Sequence, residues 1–272
     1  GSLQLICGPT GDLLDHLGGQ DLIAFTGSIE TSEKLRNHPN IAKHSIRFVA
    51  ERDSLNASLL GPDVDPSQPE FDLFVREVVR EMTVKTGQKC TAIRRVLVPR
   101  AQEAAVITAL KAALGAVKFG DPRTEDKVMG PLVSRAQRDS VRGQIAKLKR
   151  EAEIVFGDPD RCEASGVDVQ AGAFITPVLL RATDPKTAQR IHDTEAFGPV
   201  ATVMAYDILD EAIELIQRGE GSLVASVFTY DADVAEAVLL GIAPFHGRVL
   251  IVDRDCAKES TGHGSPMPSL LH

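Results

Sequence analysis

Apolar residues in the first fifty positions come in short runs separated by polar ones. Leu3–Cys7 is one run, closed by the breaker pair Gly8-Pro9. Asp21–Thr26 is a second, ending at Gly27, and Ser45–Ala50 is a third. Asp12–Leu17 and Thr31–Arg36 carry helical patterns between them, the latter ending before Asn37-His38-Pro39. Short strands alternating with helices predict a parallel α/β sheet. Three strands make only part of a doubly wound nucleotide-binding domain, so residues 1–56 read as the C-terminal part of one.

Gly61 to Pro69 is rich in turn formers and predicts a linker. Beyond it Phe71, Phe74, Val75, Val78 and Met82 recur at helical spacing, with Arg76, Glu77 and Arg80 on the other faces. The pattern then predicts a strand over Ala92–Val98, a helix over Ala101–Val117 and a polar loop over Asp121–Gly130. Ser134 with Gln137 reads as a capping box opening a helix whose core positions are Val141, Ile145 and Leu148. Strands follow near Glu153–Phe156, Phe174–Leu180, Val200–Ala205, Leu223–Thr229 and Val249–Val252. Helices near Ile208–Gln217 and Asp233–Leu240 lie between them. Residues 57–272 are therefore expected to form a second α/β domain.

Composition narrows the class. The 272 residues are 43% apolar and 25% charged, ordinary values for a soluble globular protein. A net charge of -8 argues against non-specific nucleic-acid binding and against an anionic membrane surface. No apolar run approaches the roughly 20 residues of a membrane helix, and the first residues lack the basic segment of a secretory signal. The four cysteines, Cys7, Cys90, Cys162 and Cys256, fit no C-x-x-C pattern. A long, cysteine-poor, acidic chain suggests a reducing compartment, with the cytoplasm as default. The seven histidines are scattered without ligand spacing, so no metal site is expected.

The richest chemical stretch is Gly87-Gln88-Lys89-Cys90-Thr91-Ala92, between the amphipathic helix and the next strand. A loop held by rigid elements is a usual place for a catalytic residue. Lys85, Lys89, Arg94 and Arg95 lie close by in sequence, and cations favour the nucleophilic thiolate. A lone cysteine is nonetheless more often a buried free thiol. Glu51 ends a predicted strand, where a carboxylate can act on a water, although most glutamates are merely solvated. Gly27 and Ser28 lie between a strand and a helix. That arrangement admits a close backbone approach and an anionic phosphate, or is a plain turn. His192 reads as structural. Lys258 and His263, in the polar tail from Ala257 to Pro266, border a substrate entrance or lie in a solvated loop.

Several of these stretches together resemble the aldehyde dehydrogenase superfamily. Gly87-Gln88-x-Cys90-x-Ala92 is similar to its cysteine signature, and Phe25-Thr26-Gly27-Ser28 to its nicotinamide-side turn. Glu195-Ala196-Phe197-Gly198-Pro199-Val200 is similar to its Glu-x-Phe-Gly-Pro-Val motif. Gly120-Asp121-Pro122, Met129-Gly130-Pro131-Leu132 and Gly172-Ala173-Phe174-Ile175-x-Pro177 match its spacer motifs, all in the family's order. The resemblance covers essentially the whole chain. It implies a catalytic α/β domain preceded by a partial Rossmann-like nucleotide-binding domain.

It also implies roles. Cys90 would be the nucleophile and Glu51 the base that activates water. Thr26 and Gly27 would lie near a nicotinamide and Ser28 near a pyrophosphate. Glu195 would hold the nicotinamide ribose, and Phe197 would pack beside the ring. There is no G-x-G-x-x-G fingerprint, which this superfamily does not use. Glu51-Arg52-Asp53-Ser54-Leu55-Asn56, Lys89–Arg95 and Ala257–Pro266 are similar to the bacterial branch that oxidises CoA-linked semialdehydes in aerobic aromatic breakdown. Two routes fit, benzoyl-CoA epoxidation and, through a bifunctional ring-opening protein, phenylacetate degradation; the first is favoured.

NADP is favoured over NAD as cofactor, the partner is a small-molecule aldehyde, and the whole protein is expected to be a homodimer. By the same resemblance the chain is a fragment. An upstream part would supply most of the nucleotide domain, a Lys that grips the cofactor ribose and an Asn of the oxyanion hole. The chain ends at Ser269–His272, before a Gly-rich segment and a final strand. Weak or absent turnover is expected of it alone. The rival readings are a CoA-acylating aldehyde dehydrogenase, a cysteine thioesterase and a non-catalytic binding module.

Overall fold

The computed structural model describes residues 2–124, 129–164, 166–169 and 171–265. It divides into two compact units, Gly1–Asp53 and Ser54–His272. Of the expected polar loop Asp121–Gly130, residues 125–128 lie outside the described residues, as do Pro266 and Ser269–His272.

In the first unit β1 (Leu22–Thr26) pairs in parallel with β2 (Arg47–Glu51), in register from Leu22–Arg47 to Thr26–Glu51. The crossover carries α1 (Ile29–Arg36) and α2 (Pro39–His44). The α2 helix went unread in the sequence because Pro39 looked like a stop. It is instead a start, since a proline at the first helical position gives up an N–H that no residue there could use. His38 caps it, and Ser45 ends it in the left-handed region with φ 50°. The helix expected at Asp12–Leu17 is a single tight turn, Leu13–His16. The run Leu3–Cys7 is not a strand. Its backbone has no strand beside it among the described residues, and Leu3 and Leu5 stand 93% and 89% exposed.

The second unit is one seven-stranded sheet. In chain order its elements are β3 (Ala57–Leu60), α3 (Pro69–Thr83), β4 (Arg95–Pro99), α4 (Glu103–Gly115), α5 (Arg135–Leu148), β5 (Ala152–Phe156), β6 (Val178–Ala182), α6 (Arg190–Asp193), β7 (Val200–Tyr206), α7 (Leu209–Gln217), β8 (Ser222–Phe228), α8 (Ala232–Ile242) and β9 (His246–Val252). The spatial order is β5-β6-β7-β4-β3-β8-β9, parallel throughout except for β5 against β6. Parallel strands need cover on both faces and read as unbroken apolar runs. Accordingly, every residue of β7 is buried. Leu59, Leu97 and Met204 meet α5, α7 and α8 on one face, while Leu60, Val96, Val98 and Val203 meet α3 and α4 on the other.

Three expectations are corrected here. β3 sits beside β4 and β8 in the middle of the sheet, yet its four residues were read only as the start of a domain. Gly61 to Pro69 is no linker: Gly61 donates to the Phe228 carbonyl at 2.8 Å, Asp63 accepts from Thr229 Oγ1 at 2.6 Å, and Val64 is buried. Phe174 and Ile175 are buried coil, and β6 begins only at Val178. No helix among the described residues is long and apolar enough to cross a membrane.

Candidate active site

Helix α3 delivers the cysteine loop. It ends at Thr83, and Lys85, Thr86 and Gly87 then turn left-handed in succession, with φ of 53°, 58° and 67°. A side chain at Gly87 would overlap the Gly198 carbonyl, so only glycine lets the two segments approach. Strain of this kind persists where the surroundings over-determine the backbone. Thr86 Oγ1 donates to the Gly130 carbonyl at 2.9 Å, and Gln88 Oε1 accepts from the Val133 N–H at 2.9 Å. Leu132 N–H in turn donates to Ala173 O at 3.0 Å. The cysteine signature and two spacer motifs, distant in sequence, thus meet around one loop.

Cys90 lies on this loop, half-buried. Two buried side chains fix the loop's backbone. Asn56, fully buried before β3, donates from Nδ2 to Cys90 O at 2.8 Å and Ala92 O at 3.0 Å. Arg94 donates to Gly87 O at 2.8 Å, to Gly198 O at 2.7 Å and, from Nε, to the Glu195 carboxylate at 3.2 Å. Its guanidinium stands 5.7 Å from the Phe197 ring centre, within cation–π range. Arg94 therefore binds the cysteine loop to the Glu195–Val200 motif. Burial pulls its guanidinium below the ordinary value, and the Glu195 carboxylate opposes that.

The other cations beside Cys90 in sequence are differently employed. Lys89 Nζ lies 2.9 Å from both oxygens of buried Glu81. Burial raises the Glu81 carboxyl above its usual range, against the pull of Lys89. Arg95 turns into the core, donating to Leu55 O, Leu215 O and Ile216 O at 2.8, 2.8 and 3.0 Å. Burial lowers it to about 9. It supports the last turn of α7 and the segment before β3.

The Glu195 side chain is buried, pairs with Arg94, and accepts the Ser54 N–H at 3.1 Å; Phe197 is 37% exposed. Ser134 caps α5 by accepting from Gln137 N–H at 3.0 Å, but the Gln137 amide donates to Phe197 O rather than closing the box. His192 is buried, its Nε2 2.9 Å from Pro185 O, and burial lowers it to about 4. His263 corrects the expectation of a solvated or entrance position. It is fully buried, its Nδ1 2.8 Å from Ser226 Oγ, and burial lowers it to about 3. Lys258 is exposed.

In the first unit Thr26, Gly27, Ser28 and Glu51 come together at the carboxyl ends of the parallel strands. Thr26 pairs with Glu51, and Gly27 N–H donates to Glu51 O at 3.1 Å. Carboxyl ends of parallel strands are where ligands bind in open α/β sheets. The Ser28 hydroxyl caps α1 by accepting from Thr31 N–H at 3.2 Å. Loss of solvent raises the nearby Asp53 carboxyl, an effect that the Ile29 N–H at the start of α1 partly offsets. A carboxylate already favours this helix terminus, as a phosphate would.

Sequence reading missed Asn56 and the bridging by Arg94. The signal was available: two adjacent arginines inside the apolar run Ala92–Val98 have to be buried and satisfied.

The model of the aldehyde dehydrogenase family matches residues 1–259. The chain is 47% identical over 273 residues to the 3,4-dehydroadipyl-CoA semialdehyde dehydrogenase of Aromatoleum evansii, covering 100% of this chain and 53% of that protein. It is 39% identical over 145 residues to Protein MaoC of Klebsiella aerogenes, covering 53% of this chain and 42% of that one. Among solved structures it is similar to betaine aldehyde dehydrogenase of Staphylococcus aureus in complex with NAD+, at 28% identity and a TM-score of 0.73, covering 86% and 44% of the two chains. A mutant of aldehyde dehydrogenase C of Pseudomonas syringae with NAD+ and octanal aligns at 26% identity and a TM-score of 0.72, covering 85% and 45%. The chain spans about half the length of the curated relatives it matches. On the family match, the full-length similarity and the shared α/β fold, the chain belongs to the aldehyde dehydrogenase family.

Proposed function

We propose that this chain carries the chemistry of an NAD(P)-dependent dehydrogenase that oxidises an aldehyde to the carboxylic acid. The observation that carries this reading is the fixed loop of Cys90, which Asn56 and Arg94 hold against the Glu195–Val200 segment. A nucleophile held this firmly starts close to its reacting geometry. The Cys90 thiolate adds to the aldehyde carbon and forms a thiohemiacetal. NADP or NAD, when bound, supplies the hydride acceptor that lets this adduct become a thioester. Glu51 takes a proton from water, the resulting hydroxide attacks the thioester carbon, and the thiolate leaves.

Residues 1–56 are assigned to the C-terminal part of the nucleotide-binding domain and 57–272 to the catalytic domain. Thr26, Gly27, Ser28, Glu195 and Phe197 would hold the cofactor, with the N-terminus of α1 suited to its phosphates. Ser28 would act mainly through its backbone, because its hydroxyl is engaged in capping. NADP is favoured over NAD. The 47% identity to an enzyme named for a CoA semialdehyde supports a CoA-linked semialdehyde of aromatic breakdown as substrate. A cytoplasmic homodimer is the form proposed for the whole protein.

The test is aldehyde-dependent nicotinamide reduction, with a CoA-linked semialdehyde and a simple aliphatic aldehyde each offered with NADP and with NAD. A signal lost in Cys90→Ala supports the dehydrogenase. Thiol release from a thioester without nicotinamide reduction would favour a hydrolase instead. Stimulation by free CoA would favour the acylating variant over hydrolysis by Glu51. Silence even after upstream sequence is restored would favour a binding module.

A further inference from the structure

The second unit holds a groove of about 680 Å³ between α3, the ends of β8 and β9, and the tail after β9. That volume suits a small-molecule ligand. Its floor is apolar, with Leu73, Phe228, Leu250 and Ala257, while four cations line it, Arg76, Arg80, Arg254 and Lys258, against two carboxylates, Asp72 and Glu77. On a chain of net charge -8 this local excess of positive charge runs against the whole. Two of the cations are already employed. Arg254 is clamped by fully buried Glu70 at 2.6 Å and lies over the Tyr230 ring, and Arg80 reaches Glu77 at 3.4 Å. Arg76 and Lys258 are exposed and have no hydrogen bond or ion pair among the described residues. Arg76 lies on α3 and Lys258 on the tail after β9, and both line the groove.

The groove also adjoins the cysteine loop. His263 N–H donates to Glu77 Oε1 at 2.7 Å, which pins the tail to α3. Gly264, two residues after the groove-lining Gly262, lies so close to Lys89 and Thr91 that a side chain there would overlap both. Lys89 and Thr91 flank Cys90. One wall, Ser260–Gly264, therefore runs from the groove to the nucleophile's neighbours.

We infer that this groove receives the phosphate-bearing half of an acyl-CoA thioester, with Arg76 and Lys258 contacting its phosphates. The apolar floor takes the uncharged arm that leads toward Cys90. The choice of acyl-CoA over other phosphates rests on the function proposed above. Arginine suits phosphate through paired N–H donors, and lysine through a compact charge.

The test is calorimetric titration of the chain with desulfo-CoA, which lacks the sulfur that could react with Cys90. Arg76→Glu and Lys258→Glu should each weaken binding at least about tenfold. Asp72→Asn should strengthen it two- to threefold, and rising salt should weaken it (all about these sizes). Cys90→Ser should bind as the parent does. Arg76, Lys258 and Asp72 are exposed and have no hydrogen bond or ion pair among the described residues, and an unchanged near-ultraviolet circular dichroism spectrum would verify the fold. Absence of desulfo-CoA binding by the folded chain overturns the inference, as do charge reversals that leave affinity unchanged. Equal affinity for inorganic pyrophosphate would make this a general phosphate site, and equal affinity for NADP a dinucleotide site; either result overturns it. Desulfo-CoA binding requires neither Cys90 nor Glu51. Its loss therefore condemns the groove alone, and failure of nicotinamide reduction condemns the proposed function alone.

Discussion

The two units apply one rule, parallel strands joined by helices, with very different results. In the first unit the burial of β1 and β2 alternates between exposed and half-buried, and no residue of either strand is fully buried. Leu22 and Val49 stand 49% and 59% exposed on them. In the second unit β3 and β7 are buried from end to end, with helices on both faces. A parallel pair gains stability only when both faces are covered, and two strands alone are marginal. The difference teaches that the proposed nucleophile stands on the rigid part of this chain, and the proposed base on a part held by little of its own.

Chemistry gives the largest contrast. In a single-turnover assay Cys90→Ala should abolish nicotinamide reduction, a loss of at least about a thousandfold. Glu51→Gln should allow a stoichiometric burst and then slow release of the acid by about a hundredfold or more. A burst absent from Glu51→Gln would place the defect before the thioester and remove the assigned division of labour.

Packing comes next. Phe74→Ala, at a fully buried position against Phe228, should cost about 3–5 kcal/mol in urea unfolding of the second unit. A cost under about 1 kcal/mol would mean that this core is not the rigid one. Acid should also weaken the second unit. His192 and His263 are lowered to about 4 and about 3, against 6.5 when unfolded. The folded state favours their neutral forms, so this stability is fully present above pH 6.5 and is lost as pH falls toward those values. At pH 5 the loss is about 2 kcal/mol per imidazole, read as a falling urea midpoint. His263→Gln should flatten the curve, and an unchanged slope would argue against the buried imidazole.

The smallest effect belongs to the first unit. Leu22→Ala should shift stability by less than about 0.5 kcal/mol. A larger shift in the same urea experiment would mean that β1 is better covered in solution than its exposure implies.

Periodicity made α3, α5 and the buried strands legible, because an apolar face leaves a mark every few residues. It failed where the deciding fact was a neighbour. Leu3–Cys7 is as apolar as a strand, yet nothing in the run itself states whether a partner strand exists. The four residues of β3 are too short to show a period. As candidates, Cys90 rests on the cysteine signature, Thr26, Gly27 and Ser28 on the turn motif Phe25–Ser28, and Glu51 on its place in the order of the motifs. Arg94 and Glu195 are 101 residues apart, and no local pattern announces that they meet. His263 was misplaced because a polar, glycine-rich tail gives no sign that Ser226 waits for it in the sheet.

The central place of β3 has a consequence during synthesis. Ala57 pairs with Ala225, so this strand leaves the ribosome some 168 residues before the neighbour that completes it. At ordinary elongation rates the wait is roughly 10–30 s. Through that interval the middle of the sheet exposes one unpaired edge, and chaperone occupancy of the nascent chain should peak there and fall when β8 emerges.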